Sequence, residues 1–248
     1  MLVNLCILMS ACLIYISSTH ANENVIEQKI KSFSLKLGVT RLIHKTDGKA
    51  SVLPISNDND YPILAQISVI PDKDNQDLNA QFSSVPPLFR LDSKQRAKVR
   101  IIHSGGTFPT DRESLYWVCV KGIPPSGNDS WSDSLSPDTP KLNVSVVVNN
   151  CIKLFVRPNS MSGQDALSMA EKLTWHRIEH KLTGRNPTPF YINLSDLNVG
   201  GLTVDNIQHI APFSSYTFTI PPESKGPVQW SAINDLGGNG PVISKHID

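Results

Sequence analysis

Apolar and polar residues alternate along much of the chain, in short runs separated by turn-forming residues. In the segment 33–43, Phe, Leu, Leu, Val, Arg and Ile occupy alternate positions, and a period of two predicts a half-buried β-strand. Further candidate strands follow at intervals of roughly ten residues, which is typical of a β-sandwich or barrel. They are residues 51–55, 61–70, 86–91, 98–102, 115–120, 142–156, 173–178, 190–194, 201–210, 216–220 and 228–233. The pattern therefore predicts an all-β fold, with residues 163–171 as the one candidate helix.

Length, charge and the first residues limit the classes of function. A chain of 248 residues suits one large domain or two of ordinary size. The net charge is only +1, with 23 basic and 22 acidic residues, so there is no basic footprint for nucleic acid. Residues 2–16 are almost entirely apolar and precede a short polar stretch. This pattern predicts a secretory signal over residues 1–21, cleaved after Ala21, with an uncleaved anchor as the alternative.

Cysteine usage follows from the predicted signal. Cleavage would remove Cys6 and Cys12 and leave Cys119 and Cys151. Two cysteines in an exported protein predict one disulfide, because exported proteins meet an oxidising environment. Two free buried thiols are the alternative.

One strand carries an apolar row whose purpose the pattern leaves open. Residues 126–141 are rich in Ser, Asp and Pro, which predicts an exposed and mobile loop. Directly after this loop, one face of the strand consists of Leu142, Val144, Val146 and Val148. This face either points into the protein's own core or is offered to a partner.

Two cations lie within otherwise apolar strand segments. Arg41 follows Val39 in the first such segment, and Lys153 stands between Ile152 and Leu154 in another. A cation in such surroundings is costly unless it meets an anion or water. The pair therefore suggests a shared carboxylate or phosphate ligand, while two exposed surface cations are the alternative.

One enzymatic motif has to be weighed. Residues 176–180 read His-Arg-Ile-Glu-His and fit the H-x-x-E-H string of zinc peptidases. The surrounding residues predict a strand, in which side chains at i and i+4 lie ~13 Å apart, too far to share a metal ion. We therefore predict that the protein is not an enzyme and has no metal, no cofactor and no small-molecule substrate.

Six strings of residues resemble the PapD-like periplasmic pilus chaperones. They are GVTRLIH (38–44), FPTDRESLYWVCV (108–120), NNCIKLFVRP (149–158), LTWHRI (173–178), NPTPFYI (186–192) and WSAINDLGG (230–238). The segment 126–141 and the cysteine pair are similar to the subclass with a long loop between the last two strands of the first domain. The resemblance implies two immunoglobulin-like β-sandwich domains arranged as an L with a cleft between them. They would span residues 22–157 and 163–248, with residues 158–162 as the linker.

The resemblance also implies a mechanism and a set of site residues. Fibre subunits of this system lack their final strand, and the chaperone lends its own, a form of strand addition. The donor strand would be Leu142, Val144, Val146 and Val148. The odd-numbered face of residues 33–39 would add a second edge, or would simply be core.

Three further groups of residues match the family pattern. Arg41 and Lys153 match the pair that anchors the C-terminal carboxylate of the subunit. An ion network between the two domains would consist of Glu113, Arg157 and Asp235. A Cys119–Cys151 disulfide would join the donor strand to its neighbour.

The implied function is that of a periplasmic chaperone. It would bind, stabilise and deliver fibre or adhesin subunits to an outer-membrane usher by donor-strand complementation. Its partners would be those subunits and the usher, with self-capping by homodimerisation as an open option. The alternative is a secreted immunoglobulin-like adhesin or fibre component, which would share the fold, the export and the disulfide.

Overall fold

Eighteen β-strands make up most of the chain that the structure describes. The computed structural model describes residues 27–72, 81–124 and 141–247. The strands are β1 (Glu27–Phe33), β2 (Lys36–Leu37), β3 (Arg41–Lys45), β4 (Ser51–Ser56), β5 (Ile63–Pro71), β6 (Phe82–Val85), β7 (Leu88–Leu91), β8 (Arg96–His103), β9 (Ser114–Ile123), β10 (Lys141–Val147), β11 (Asn149–Arg157), β12 (Thr174–Ile178), β13 (Lys181–Arg185), β14 (Leu194–Val199), β15 (Leu202–Thr203), β16 (Ser215–Thr219), β17 (Val228–Ala232) and β18 (Ile243–Lys245).

Compactness divides the described residues into two units of unequal size. The smaller unit contains residues 27–31 and 141–144, which belong to β1 and β10, and these two strands pair with each other. The larger unit contains the remaining described residues and holds two hydrophobic cores. Each core marks one sandwich domain.

The first sandwich domain consists of two sheets that share one core. A five-stranded sheet has the order β3-β11-β9-β5-β7, and a four-stranded sheet has the order β2-β4-β8-β6. Within the first sheet, β11 runs antiparallel to β9 and parallel to β3. Alternate residues of β4 and β5 are buried, as expected for strands with one face on a core. The largest buried side chains of this core include Leu53, Ile63, Ile101, Tyr116 and Leu154.

The second sandwich domain has a smaller pair of sheets around its own core. The sheets have the orders β12-β13-β16 and β15-β14-β17-β18. Trp230, Phe190 and Leu182 are fully buried between them. The all-β class and the two immunoglobulin-like sandwich domains predicted from the sequence are confirmed.

Two predicted strands are each divided in the structure. The alternation in residues 33–43 continues across β2 and β3, although β2 pairs with β4 in one sheet and β3 pairs with β11 in the other. Likewise, residues 142–156 form β10, which pairs with β1, and β11, which pairs with β9. A chain that passes from one sheet to another keeps its hydrophobic period, so the pattern does not reveal the break.

Some short elements differ from the sequence prediction. The strands β6, β13 and β18 had no predicted counterpart. The strands β1 and β14 overlap the predicted strands 33–43 and 190–194 only at Phe33 and Leu194, and residues 201–210 form only the two-residue strand β15 and an isolated bridge at Ile210. The candidate helix 163–171 is an α-helix at Ala166–Met169 followed by a 3-10 turn at Ala170–Lys172. Within the predicted linker, Asn159–Met161 form another 3-10 turn, and Met161 packs into the second core.

Several predictions concern residues on which the structure gives little or nothing. The predicted signal, residues 1–21, lies outside the described residues, as does nearly all of the predicted loop 126–141. In the described ranges, none of the helices is both long enough and apolar enough to cross a membrane.

The H-x-x-E-H string does not form a helix. His176 lies in β12, whereas Glu179 and His180 form the turn between β12 and β13. Glu179 has a positive φ of 50° there. The i, i+4 arrangement that the zinc motif requires is therefore absent at residues 176–180.

A buried asparagine ties together the loops at one end of the second sandwich. Asn186 is fully buried, and its Nδ2 donates to the carbonyl oxygens of Phe190 at 2.7 Å, Ile210 at 3.1 Å and Ala211 at 3.0 Å. Its Oδ1 accepts from the backbone N–H and the hydroxyl of Thr188. One side chain thus satisfies five polar groups that no longer reach water.

Loss of this side chain should destabilise the second domain. We expect Asn186→Ala to lower the free energy of unfolding by at least about 2 kcal/mol, because it leaves several buried donors and acceptors unpaired. Chemical denaturation followed by fluorescence would measure the change. The matched control is Asn149→Ala at an exposed position of β11, which should change the stability by less than about 0.5 kcal/mol. Equal stability of the two variants would contradict the prediction.

Candidate functional site

A small open cavity, lined largely by charged and polar side chains, lies between the two sandwich domains. Its volume is about 230 Å³, and its wall includes Thr40, Arg41, Trp117, Lys153, Asn193, His209 and Ile233. Three larger grooves lie on the surface: two of about 670 and 620 Å³ beside β2 of the first domain, and one of about 500 Å³ beside β16 of the second domain. We regard the smaller cavity as the candidate site because half-buried cations from one domain meet polar groups of the other there.

Arg41 and Lys153 stand side by side at this cavity. They are register partners on the adjacent parallel strands β3 and β11. The Lys153 ammonium donates to Asn193 Oδ1 at 2.6 Å and lies 3.2 Å from His209 Nδ1. Arg41 Nη1 reaches the carbonyl oxygen of Ile233 at 3.5 Å, while its buried Nε has no hydrogen-bond partner. The two residues predicted as a pair are thus neighbours, rather than separate surface cations.

The electrostatics of this pair favour an anionic ligand. Burial lowers the pKa of Lys153 to about 8, and the nearby guanidinium of Arg41 acts in the same direction, while Asp72 partly opposes it. Burial also lowers the pKa of Arg41, and Asp235 partly offsets this. Two poorly solvated like charges repel each other, so a carboxylate placed between them would compensate for the lost hydration and offset the repulsion.

A second charged cluster joins the two sandwich domains. Arg157 Nε donates to Glu113 Oε1 at 2.8 Å, and its two terminal nitrogens bind the Asp235 carboxylate at 2.6 and 2.9 Å. The other oxygen of Glu113 accepts from the backbone N–H of Tyr191 at 2.9 Å. The three residues predicted as an ion network therefore contact one another, and the network spans both domains.

Burial and pairing act in opposite directions on this cluster. Burial raises the pKa of Glu113, and the Arg157 guanidinium opposes the rise. Burial works against the charge of Arg157, but the hydrogen bonds that it donates to Asp235 and Glu113 hold its pKa above the usual range. Each carboxylate oxygen of Glu113 and Asp235 and each guanidinium nitrogen of Arg157 has a hydrogen-bond partner. The charges are therefore tolerated in a buried position.

An apolar cluster lies beside the ion network. Leu115 and Phe155 of the first domain pack with Tyr191 of the second, and Ile43 and Ala211 border them. The rings of Phe155 and Tyr191 lie 5.7 Å apart between centroids. The contact between the domains therefore combines a hydrophobic patch with a directional ion triad.

The loop after β17 completes one wall of the cavity. It carries Asp235 to Arg157 and the Ile233 carbonyl to Arg41. Gly237 has a φ of 91°, and a Cβ at this position would collide with Thr40. This close approach and the positive φ together require glycine.

The predicted donor row is not part of either core. The exposed fractions of Leu142 and Val146 are 51% and 43%, and Val144 and Val148 are half-buried. Val147, on the other side of the strand, is also exposed. Among the described strands, β10 pairs only with β1. The row is therefore accessible, and the interpretation as a core-facing strand is wrong for these residues.

The odd-numbered face of residues 33–39 has a different position. Phe33 and Leu35 are buried in the first core, and Leu37 and Val39 pack against it at half burial. Of the two interpretations, core is the correct one for Phe33 and Leu35.

Cys119 and Cys151 form the predicted disulfide, but the bond joins β9 to β11 rather than to the donor strand β10, because Cys151 lies beyond the end of β10. They are register partners on β9 and β11, and their sulfur atoms are bonded.

The sequence did not indicate Asn193 and His209, because they reach Lys153 from 40 and 56 residues away. Their only local signal was an unremarkable polar position in a loop or a short strand.

Family models match both sandwich domains. A model described as the PapD N-terminal domain of pili and flagellar-assembly chaperones matches residues 34–162. A second model, described as the C-terminal domain of the pili assembly chaperone PapD, matches residues 168–243. Together they cover most of the chain.

Individual relatives agree with the family models. Chaperone protein AggD of Escherichia coli is 43% identical over 220 residues, which are 87% of this chain and 86% of AggD. Chaperone protein AfaB of Escherichia coli is 46% identical over 199 residues, 79% of each chain. The crystal structure of the E. coli chaperone DraB matches with a TM-score of 0.78 and 44% identity, and covers 90% of this chain and 100% of DraB. A chain of the Salmonella enterica SafA pilin–SafB chaperone complex matches with a TM-score of 0.79 and 36% identity, over 90% of this chain and 100% of that one. The chain therefore belongs to the PapD-like family of pilus-assembly chaperones.

Proposed function

We propose that this protein is a periplasmic chaperone that binds and stabilises fibre or adhesin subunits and delivers them to an outer-membrane usher by donor-strand complementation. The observation that carries the proposal is the pair Arg41 and Lys153, adjacent on β3 and β11 and poorly solvated. SafB, which is similar to this chain, has been solved in complex with a pilin. The apolar segment at residues 2–16 and the Cys119–Cys151 disulfide support an oxidising, exported location.

The donor strand supplies the attraction for a client. A subunit without its last strand has an apolar groove and unpaired backbone groups, which favour aggregation. Leu142, Val144, Val146 and Val148 on β10 and its end fill pockets of that groove, each worth about 1.5–3 kcal/mol before the costs of association. β10 has a paired strand on one edge only, among the described strands. Its other edge provides the main-chain hydrogen bonds to the subunit.

The cationic pair sets the position of the client. The C-terminal carboxylate of the subunit binds between Arg41 and Lys153 through charge-assisted hydrogen bonds. Fixing one end of the added strand also fixes its register, and a slip of one residue would turn its apolar side chains to the wrong face. The two elements therefore have separate roles, affinity in the row and register in the pair.

The remaining predicted residues hold these parts in place. Glu113, Arg157 and Asp235 maintain the relation of the two sandwich domains that shapes the cavity. The disulfide ties β11 to β9, directly after the donor strand.

We place the chain in the long-loop subclass on the basis of residues 126–141 and this cysteine pair. Self-capping by homodimerisation would protect the apolar row when no client is bound.

The alternative, a secreted adhesin or fibre component, does not account for the cationic cavity. A structural fibre domain needs no anion site of this kind between its sandwich domains. Co-purification separates the two functions, because a chaperone emerges one-to-one with a co-expressed subunit, whereas a fibre component polymerises.

The anchor can be tested by removing either cation. We expect Arg41→Ala and Lys153→Ala each to weaken binding of a subunit by about 2–5 kcal/mol, since each leaves a buried charge unpaired. The readout is the amount of co-expressed subunit recovered with the chaperone, together with calorimetry on the purified pair. Lys98→Ala, an exposed cation on β8, is the control and should recover the wild-type amount. Undiminished recovery with both cavity variants would refute the anchor.

Binding of a carboxylate should weaken as the pH rises. The charged ammonium of Lys153 is required, and its pKa in the free protein is about 8. A bound carboxylate raises that pKa, so affinity is full below about 8 and declines above it, by at most about ten-fold per pH unit. Lys153→Arg keeps its charge throughout this range and should remove the decline. A pH-independent affinity in the wild-type protein would contradict the assignment.

The apolar row can be tested with a charge. We expect Val146→Lys to abolish recovery of the subunit, because the ammonium would have to enter an apolar groove at a cost of several kcal/mol. Its melting temperature should stay close to that of the wild type, since Val146 is 43% exposed. Val52→Lys, at a valine of β4 that is 45% exposed, is the matched control and should bind normally. If both variants bound equally well, the row would not be the donor.

A further inference from the structure

The second sandwich domain supplies two hydrogen-bond acceptors to the ammonium of Lys153. Asn193 Oδ1 lies 2.6 Å from Nζ, and His209 Nδ1 lies 3.2 Å from it. Lys153 itself belongs to β11 of the first domain. The strand that bears the cation and the groups that hold it therefore come from different domains.

The backbone around these acceptors is well ordered by hydrogen bonds. Ile192 and Ile210, each adjacent to one of the acceptors, exchange two backbone hydrogen bonds of 3.1 and 2.9 Å. Asn193 is buried, and its carbonyl oxygen accepts from the backbone N–H of Ile233 at 2.8 Å. The His209 ring lies 5.4 Å from the Tyr191 ring between centroids. The two acceptors thus lie on two backbone segments that this bridge holds together.

The chemistry of the contact assigns the donor and the acceptor. An ammonium has three N–H donors and no acceptor, so the His209 nitrogen that faces it must be unprotonated, and the ring carries its proton on Nε2 when neutral. Asn193 must likewise turn its oxygen to Lys153, and its Nδ2 lies 3.4 Å from the Tyr191 carbonyl oxygen. The two acceptors use two of the three donors and leave one for a ligand.

We infer that Asn193 and His209 are positioning residues of the carboxylate site, which keep the Lys153 ammonium charged and aimed at the cavity before a client arrives. The inference rests on the proposed function, because it concerns the same carboxylate site and says which residues hold Lys153 ready for binding. It adds that the second domain takes part directly in anchoring. Pre-organised groups of this kind reduce the cost of ordering the flexible lysine side chain on binding.

Several groups around Lys153 act on the charge of its ammonium. Burial and then Arg41, on the neighbouring strand, disfavour the ammonium, while Asp72 favours it. Asp235 acts on Arg41, and the Trp117 ring faces the ammonium at 5.7 Å. With the two acceptors removed, fewer groups favour the charged form, so deprotonation should occur at lower pH.

The experiment compares two synthetic peptides on the full-length mature protein. One is a strand-forming peptide of about ten alternating valine and threonine residues with a free C-terminal carboxylate, and the other is its C-terminal amide. The measured quantity is the ratio of their affinities, followed from neutral to alkaline pH by calorimetry. This ratio isolates the contribution of the carboxylate from that of the apolar side chains.

We expect Asn193→Ala and His209→Ala each to lower the ratio of the affinity of the carboxylate peptide to that of the amide peptide by up to about ten-fold, because the flexible Lys153 side chain must then be ordered as the peptide binds. In both variants the alkaline decline should move to lower pH by about one unit. His209→Gln, which keeps an acceptor, should restore much of the ratio. The matched controls are Asn198→Ala and His180→Ala, a half-buried and an exposed residue of the same domain, and both should behave as wild type.

Two outcomes separate this inference from the proposed function. If Lys153→Ala leaves the ratio unchanged, there is no carboxylate anchor and the proposed function fails. A second outcome is that Lys153→Ala lowers the ratio to about one, while Asn193→Ala and His209→Ala change neither the ratio nor its pH dependence. In that case the anchor stands and the inference alone is overturned. A merely structural role would lower the melting temperature of the two variants without moving the alkaline decline, and this result would also overturn it.

Discussion

The ion triad of Arg157 with Glu113 and Asp235 is the contact on which the rest of the site depends. It connects the last residue of β11 to an acid of the first domain and an acid of the second. The loop that brings Asp235 to Arg157 also brings the Ile233 carbonyl to Arg41. A planar guanidinium accepts only a narrow range of partner directions. The triad therefore constrains the wall of the cavity more tightly than the apolar patch beside it, because apolar contacts are not directional.

The cavity is built at an energetic cost that a ligand can recover. Arg41 and Lys153 repel each other and are poorly hydrated, and Asp72 and Asp235 offset this only in part. The same low polarity that makes two neighbouring cations unfavourable strengthens their attraction for a carboxylate. An internal peptide bond carries no charge, so under the proposed function the cationic pair would distinguish the end of a client chain from its interior. This gives the pair a specificity that the apolar row alone lacks.

The apolar row raises the opposite problem. An exposed strand with leucine and valine side chains invites pairing with any open sheet edge. Much of β10 is exposed in this way, whereas the next strand, β11, is anchored on both sides by β3 and β9 and by the disulfide. A largely exposed strand is thus followed at once by one that is paired on both sides and held by a disulfide, and this second strand carries Lys153.

Much of this protein follows from its sequence. Period-two alternation and regularly spaced turns were enough to predict an all-β fold, because the side-chain period of a strand is a local property. Six strings of residues were enough to indicate the family and to suggest Arg41, Lys153 and the ion triad. Local pattern could not show that residues 33–43 and 142–156 change sheets midway, since hydrophobic alternation persists through such a crossing. Only the tertiary structure decided that Leu142 and Val146 are exposed while Phe33 and Leu35 are core. It alone brought Asn193 and His209 to Lys153, because contacts between residues so distant along the chain depend on how two domains pack and leave no periodic trace in the sequence.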